Sequence, residues 1–280
     1  MFEHGIPHAL SSRVRRVVAP NPGIMTGPGT NTYLLGEREV AVVDPGPDLP
    51  EHVEAILDAV GEGSIRWLIC THTHPDHSPA WQALAERTGA EVIGALAEDT
   101  RFQDPTFVPT EHLEHDWYLQ TEEFSLRAVH TPGHVSNHFC FLLEEEGMLF
   151  AGDHIMNGST VVIVPPGGDM QAYIASLQCL LDYPLESIAP GHGDLIHTPR
   201  AEVEKLVTHR LGREAKVLAG LRRLGRCHLD ALVKVVYDDV DSGRHDWAKL
   251  SMTAHLIKLE REGLARALPE TGGWEPLLPD

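Results

Sequence analysis

The chain is predicted to fold as α/β (α+β) with a mostly helical tail, and three features carry that expectation. Over the first two-thirds, apolar runs of strand length alternate with segments of helical periodicity. Several of these runs stop abruptly at Gly/Pro turns that carry His or Asp. The alternation ends at Thr198-Pro199, where Thr at the N-cap and Pro at the first helical position mark the start of a helix. The division predicted is residues 1–198 as a mixed α/β domain and 199–280 as a mostly helical, winged-helix-like domain.

Taken in order, Gly36 to Asp44 runs through Val40-Ala41-Val42-Val43 into the turn Asp44-Pro45-Gly46-Pro47, which reads as a strand and its stop. Val53, Ile56, Leu57 and Val60 recur at helical spacing. Ile65 to Cys70 reads as a buried strand, Pro79 to Thr88 as a helix closed by Gly89, and Glu91 to Gly94 as a short strand. Residues 99–123 are polar and without periodicity, which predicts a functional loop or lid. Phe124–Val129, His138–Leu143 and Met148–Ala151 read as strands. Asp169 is placed to cap a helix whose apolar face is Met170, Ile174, Leu177 and Leu181. Ser187–Ala189 is a last short strand. In the tail, helices are expected to about Leu224, at Leu229–Tyr237 and near Ala248–Glu262, with a hairpin over Leu264–Trp274.

Length and an apolar content of 42% fit a globular protein of one large domain, or a large one with a small one. No apolar run approaches the ~20 residues needed to span a bilayer, and Met1 to Ser12 lacks an apolar core of signal-peptide length. A soluble, cytoplasmic protein without a membrane partner is expected. Cys70, Cys140, Cys179 and Cys227 are far apart, three of them in apolar stretches, and read as buried thiols of a reducing compartment. Of the net charge of -19, residues 1–199 carry 28 of the 41 acids and only 8 of the 22 Lys+Arg, and every lysine lies after residue 200. An acidic front half repels nucleic acid at long range and favours cations.

Chemistry concentrates in Thr71-His72-Thr73-His74-Pro75-Asp76-His77. Three imidazoles and a carboxylate within six residues are the usual ligands of zinc and similar divalent ions. They follow a strand, at the kind of strand end where open α/β sheets place their sites. The same design of strand, sharp turn and ligand-type residue recurs at Val43-Asp44-Pro45-Gly46, Thr131-Pro132-Gly133-His134, Gly152-Asp153-His154 and Pro190-Gly191-His192. Glycine and proline permit the tight turns that aim such side chains at one centre.

In these motifs the chain resembles the metallo-β-lactamase superfamily, over residues 14–197. The resemblance implies a four-layer αββα sandwich with its site at one edge of two packed sheets. It also implies two metal ions, with zinc expected and manganese or iron compatible. His72, His74 and His134 would bind the first ion, Asp76, His77 and His192 the second, and Asp153 would bridge them. Asp44 would support the site from behind. Two ions sharing a water would lower its pKa and supply a bridging hydroxide as nucleophile. Asp76 would ligate and orient it, and His138, or else His154, would protonate a leaving group.

The stretches Asn21 to Leu34 and His209-Arg210-Leu211-Gly212-Arg213-Glu214, with a tail able to form a winged-helix-like unit, are similar to the group around beta-lactamase-like protein 2. That likeness favours an endoribonuclease on single-stranded RNA, with a thioesterase or ester hydrolase on a small acyl substrate as the alternative. The charge distribution favours the small substrate, because a phosphodiester track needs cationic or aromatic contacts. Arg210 and Arg213 share a helical face, where they would meet a phosphate or a carboxylate, or serve as a plain surface face with pairs such as Arg210–Glu214. His209 is either a substrate contact or a helix-surface residue. His112 and His115 read as part of a solvated acidic loop, and His4, His8, His52, His197, His228, His245 and His255 as surface or cap residues. Gly27-Pro28-Gly29-Thr30 lacks the context of a phosphate loop and reads as a turn beside the metals. Leu256, Ile257 and Leu259 lie on a helix with Glu260 and Glu262, which favours packing or a homodimer contact over duplex reading. A non-catalytic metal- or nucleic-acid-binding module is the alternative from another class, and the complete ligand set argues against it.

Overall fold

The structure is a computed structural model and describes residues 2–277. Two compact units are present: one formed by the chain up to Thr131 with 137–160 and 183–200, the other by 132–136, 161–182 and the chain from Ala201 onward.

The first unit contains two sheets. One has seven strands in sequence order: β1 (His8–Ala9), β2 (Val14–Val18), β3 (Asn31–Leu35), β4 (Glu39–Val43), β5 (Ser64–Ile69), β6 (Glu91–Gly94) and β7 (Glu111–His112). Strands β1 to β4 pair antiparallel, and β4 to β7 pair parallel. Parallel neighbours need crossovers, supplied here by α1 (Pro50–Val60) between β4 and β5 and α2 (Trp81–Thr88) between β5 and β6. The second sheet has the order β12 (Ser187–Pro190), β11 (Met148–Gly152), β10 (Phe139–Leu143), β9 (Ser125–His130), β8 (Tyr118–Gln120).

Period-2 geometry divides each strand between two cores. Ala41 and Val43 of β4 join Phe139, Phe141 and Leu143 of β10 and Phe150 of β11 in a core shared by the two sheets. Val40 and Val42 face the other way, onto Val53 and Ile56 of α1 and Leu84 of α2. This explains why Val40 to Val43 of β4 are apolar at every position rather than alternating. The mixed sheets with covering helices are the fold class the sequence predicts.

Every expected helix and strand is present within a few residues. The strands β1 to β3, β7 and β8 were not legible. β7 and β8 are two and three residues long, too short to show a period. The segment 99–123 is therefore not wholly irregular. In β3, Asn31 and Thr32 break the apolar pattern, yet both are buried.

The second unit holds α3 (Met170–Leu180), α4 (Pro199–Leu224), α5 (Leu229–Val236), α6 (His245–Arg261) and a small sheet of β13 (Cys227–His228), β14 (Ala265–Leu268) and β15 (Gly273–Pro276). Asp169 caps α3 by accepting from the Ala172 amide. Val217 and Leu221 of α4, Leu232, Val233 and Val236 of α5, and Met252, Leu256 and Leu259 of α6 form its core, with Ile257 packed against it. The α6 residues considered for nucleic-acid reading are thus packing residues.

Two histidines expected at the surface are buried. His255 lies in the second unit against Glu214, which also takes Lys258. Glu214 is therefore not the partner of Arg210. His52 on α1 has its Nε2 2.9 Å from Thr32 Oγ1, and burial pushes its pKa down to about 4. Above about pH 6.5, the ordinary histidine value, His52 is neutral whether folded or not and contributes no pH dependence. As pH falls from about 6.5 to about 4, unfolding takes up a proton that the folded state refuses, so stability declines. The expected loss from this residue between pH 7 and pH 5 is about 2 kcal/mol. His52→Gln should remove that difference, read from urea midpoints of wild type and variant at the two pH values.

Of the cysteines, Cys70 and Cys140 are buried, and Cys179 is exposed, contrary to expectation. Among the described residues no helix is long and apolar enough to cross a membrane.

Candidate metal centre

The site forms where strands of both sheets end at one edge. β4 ends at Asp44 and β5 runs into Thr71-His72, while Gly152 and Pro190 are register partners at the ends of β11 and β12. The two sheets are joined there by backbone hydrogen bonds: the Phe139 amide donates to Thr71 O (2.8 Å) and the Asn31 amide to Gly191 O (2.8 Å). Thr30 also pairs with His192 as an isolated antiparallel bridge, so the Gly27–Thr30 turn does lie beside the site.

Two groups of side chains converge. His72, His74, His134 and Asp153 form one, and Asp76, His77 and His192 the other; within each, the ligand-type atoms lie within 4.8 Å of one another. Asp153 Oδ1 is also 3.4 Å from His77 Nε2 and 3.3 Å from His192 Nε2, so this carboxylate touches both groups.

Hydrogen bonds on the far side of each ring decide which nitrogen faces the centre. Asp44 accepts the Thr71 amide (2.7 Å), the Thr71 hydroxyl (2.9 Å) and His77 Nδ1 (2.9 Å). With its proton committed to Asp44, Thr71 Oγ1 accepts from His72 Nδ1 at 3.0 Å. His134 Nδ1 donates to Val162 O at 3.0 Å and His192 Nδ1 to Gly29 O at 3.2 Å. In all four rings an Nδ1 proton is held on the far side, which aims Nε2 at the centre. His72 Nε2 lies 3.0 Å from His74 Nδ1, a spacing that a cation shared by two lone pairs satisfies. The residues therefore fit divalent metal: carboxylates, and imidazoles whose Nε2 atoms point at one centre, where a cation would take the place of a proton.

Electrostatics agree. Burial, reinforced by neighbouring imidazoles, holds His72 well below its ordinary pKa, so it stays neutral. Burial also opposes charge on His77 and His192, but the carboxylates outweigh it: Asp76, Asp153 and Asp44 push His77 well up, and Asp153 with Asp76 raises His192 to about 9. Burial would raise Asp153, yet His192 and His77 hold it well below the carboxylate range. The pocket keeps its acids ionised and draws positive charge toward them.

Two glycines are required by close approach. A Cβ on Gly152 (φ +45°) would lie 2.4 Å from Thr71 Oγ1, and one on Gly191 would lie 2.7 Å from His77 Cε1 and 2.8 Å from Asp153 Oδ1.

The structure seats the expected proton donors elsewhere. His138 has no exposed surface; its Nδ1 is 2.9 Å from Thr131 Oγ1 and its ring centroid is 5.1 Å from that of His72. His154 is equally buried. Neither ring is open to solvent, and His138 lies beside the ligand-type residue His72. Arg210 is buried, donating to Val161 O (2.6 Å) with its guanidinium 5.1 Å from the Tyr173 ring centroid. Arg213 donates to Val236 O and pairs with Asp239. Both arginines have structural partners, and His209 is exposed. His112 and His115 are exposed too, in keeping with a solvated loop.

Sequence reasoning overlooked Thr71, which relays Asp44 to His72, and Thr73, which accepts from Asn137 Nδ2 (2.9 Å) and donates to Gln103 Oε1 (2.6 Å). The signal was present as threonine alternating with histidine. Part of the 99–123 segment is thus tied to the backbone between His72 and His74, as the Asp104 amide also donates to Thr73 O.

Residues 25–192 match the family model for the metallo-beta-lactamase superfamily, and residues 229–274 the one for the beta-lactamase associated winged helix domain. The chain is 33% identical over 270 residues to a beta-lactamase-like protein 2 homolog of Drosophila melanogaster, covering 92% of this chain and 91% of that one. It is 29% identical over 274 residues to the atrochrysone carboxyl ACP thioesterase dmxR1 of a Cryptosporiopsis species, covering 91% and 81%. The crystal structure of a beta-lactamase domain protein from Burkholderia ambifaria superposes with a TM-score of 0.84 at 18% identity, covering 99% and 95% of the two chains, which shows the shared fold.

Proposed function

Because the chain belongs to the metallo-β-lactamase superfamily, we propose that it is a hydrolase holding two divalent metal ions, zinc by the character of its donors, that cleaves a small acyl thioester or ester. The carrying observation is Asp153 Oδ1 standing within 3.4 Å of His77 and His192 while grouped with His72, His74 and His134. His72, His74 and His134 would hold one ion, Asp76, His77 and His192 the other, with Asp153 between. When bound, such ions polarise the scissile carbonyl and acidify a water. Asp76 has the most exposed carboxylate of the site (27%, against 13% for Asp153), so it is the one to orient the attacking water. The domain division proposed remains 1–198 and 199–280, and the two family matches fall on either side of it.

Three features support the substrate class. Thioesterase-named relatives align along most of the chain. A thiol leaves as thiolate, with a pKa of about 8.5, and so needs no proton donor; the sealed rings of His138 and His154 offer none. All eight arginines of residues 1–199 have acid or carbonyl partners: Arg13, Arg15, Arg16, Arg38, Arg66, Arg87, Arg101 and Arg127. That leaves a phosphodiester track without ready contacts. Ile24 and Met25, exposed on the turn leading to Gly29, add apolar surface for an acyl group. The free thiols fit a reducing compartment, the cytoplasm.

Purified, metal-replete protein should hydrolyse members of an acyl thioester panel and leave labelled single-stranded RNA intact, with Asp76→Ala abolishing turnover. RNA cleavage that Asp76→Ala removes, with thioesters untouched, would reverse the substrate assignment. Less than one metal equivalent per chain would sink the two-ion reading.

A further inference from the structure

We infer that Arg210 and Ser251 are positioning residues for the ligand His134, a role that rests on the metal-centre reading above. The link is the segment 161–163, which has no regular secondary structure and so no ladder to orient its peptides. Three successive groups of this segment are nonetheless fixed. Val161 O accepts from Arg210 Nη2 of α4 at 2.6 Å. Val162 O accepts from His134 Nδ1 at 3.0 Å. The Ile163 amide donates to Ser251 Oγ of α6 at 3.3 Å.

The Val162 carbonyl and the Ile163 N–H belong to one peptide plane. That plane is rigid and trans, so its N–H and C=O point to opposite sides. Ser251 thus grips the back of the same peptide whose front takes the His134 proton. Arg210 fixes the preceding peptide with a charge-assisted bond, and its burial beside Tyr173 leaves it little freedom. Tyr173 also closes on the residue before His134: a Cβ on Gly133 would lie 2.4 Å from Tyr173 Cα. If the Val162 carbonyl turned away, the imidazole would lose the bond that keeps its proton on Nδ1 and its Nε2 free. The histidine–arginine motif of α4 thereby acquires a function at a distance: Arg210 acts through a carbonyl, not on substrate.

The experiment is zinc titration of the full chain against a competing chelator, with cobalt(II) absorption as a second readout. Wild type is compared with Arg210→Ala, Ser251→Ala and Leu232→Ala; the last removes a buried side chain from the tail core, away from 161–163. The expected result is that Arg210→Ala and Ser251→Ala each weaken one of two zinc equivalents by about tenfold and alter one cobalt band. Leu232→Ala should lower the melting temperature and leave both affinities unchanged. Should Arg210→Ala fail to fold, Ser251→Ala decides, since it deletes a single bond to the 162–163 peptide. Wild-type affinity for both equivalents in Ser251→Ala and in any folded Arg210→Ala overturns the role, as does equal weakening of both equivalents that Leu232→Ala reproduces. A wild type that binds no zinc overturns the metal-centre reading and this role with it.

Discussion

Asp153→Ala should lower turnover of a thioester by about a thousandfold, or about 4 kcal/mol of barrier, and reduce bound metal from two equivalents to less than one. The size follows from position. Among the described residues, Asp153 is the carboxylate grouped with one set of ligands and in contact with the other, and His192 and His77 keep it ionised despite burial. Without it, His77 and His192 face only Asp76 at the centre and Asp44 behind, so less negative charge is left to attract cations. Asp153→Asn separates the two contributions, because it keeps the shape and removes the charge. An intermediate loss of metal is expected from it. Metal analysis beside kcat, on protein shown to be folded by circular dichroism, is the measurement; an alanine variant within tenfold of wild type in both would refute the bridging role.

The second large effect is expected from Asp44→Ala, although Asp44 faces away from the centre. Its two oxygens accept from the Thr71 amide, the Thr71 hydroxyl and His77 Nδ1. Alanine leaves the buried Thr71 amide without its acceptor, at a cost of about 1–3 kcal/mol. It also frees the Thr71 hydroxyl, which orients His72, and the His77 proton, which can then move to Nε2. Both ions should bind about 100-fold more weakly, with the melting temperature lowered even in excess zinc. The position is special in its backbone too: Asp44 has φ +52°, a left-handed conformation that aspartate tolerates better than most residues. Asp44→Asn keeps that tolerance and one acceptor oxygen, so it should recover stability more fully than metal affinity. Matching losses of both in Asn and Ala would show the charge, not the geometry, to be what matters.

Both residues were found from sequence by the same logic, a strand that stops at a sharp turn carrying a ligand-type side chain. That logic worked because backbone conformation at strand ends is written locally in Gly and Pro. It failed where function depends on side chains brought together from distant segments. His138 follows His134 by four residues, and spacing alone placed it near a leaving group; in the structure the chain has turned into β10 by then, and the ring is sealed beside His72. Arg210 and Arg213 share a helix face as expected, but tertiary partners, a carbonyl for one and Asp239 for the other, decide what that face meets. His52 and His255 read as polar and therefore exposed, and burial inside hydrogen-bonded surroundings is invisible to composition. The strands β2 and β3 were missed for a related reason: their buried Arg16, Asn31 and Thr32 disguise the apolar period, while β1 is only two exposed residues. Asn31 Nδ2 donates to Pro190 O and Gly193 O, and so holds the turn that presents His192.

The seam between the sheets has a consequence for how this scaffold tolerates change. The amides of Phe139 and Asn31 stitch one sheet to the other at the edge that carries the ligands, so the chemical end of the sandwich is its fastened end. Metal bound there would act as a rivet through both sheets, and the free energy of binding it would at the same time be free energy holding the sandwich shut. Under the proposed function, the exposed turn bearing Ile24 and Met25 could then be rewritten for a different substrate without prying the layers apart, whereas a change at the stitches would cost fold and catalysis together.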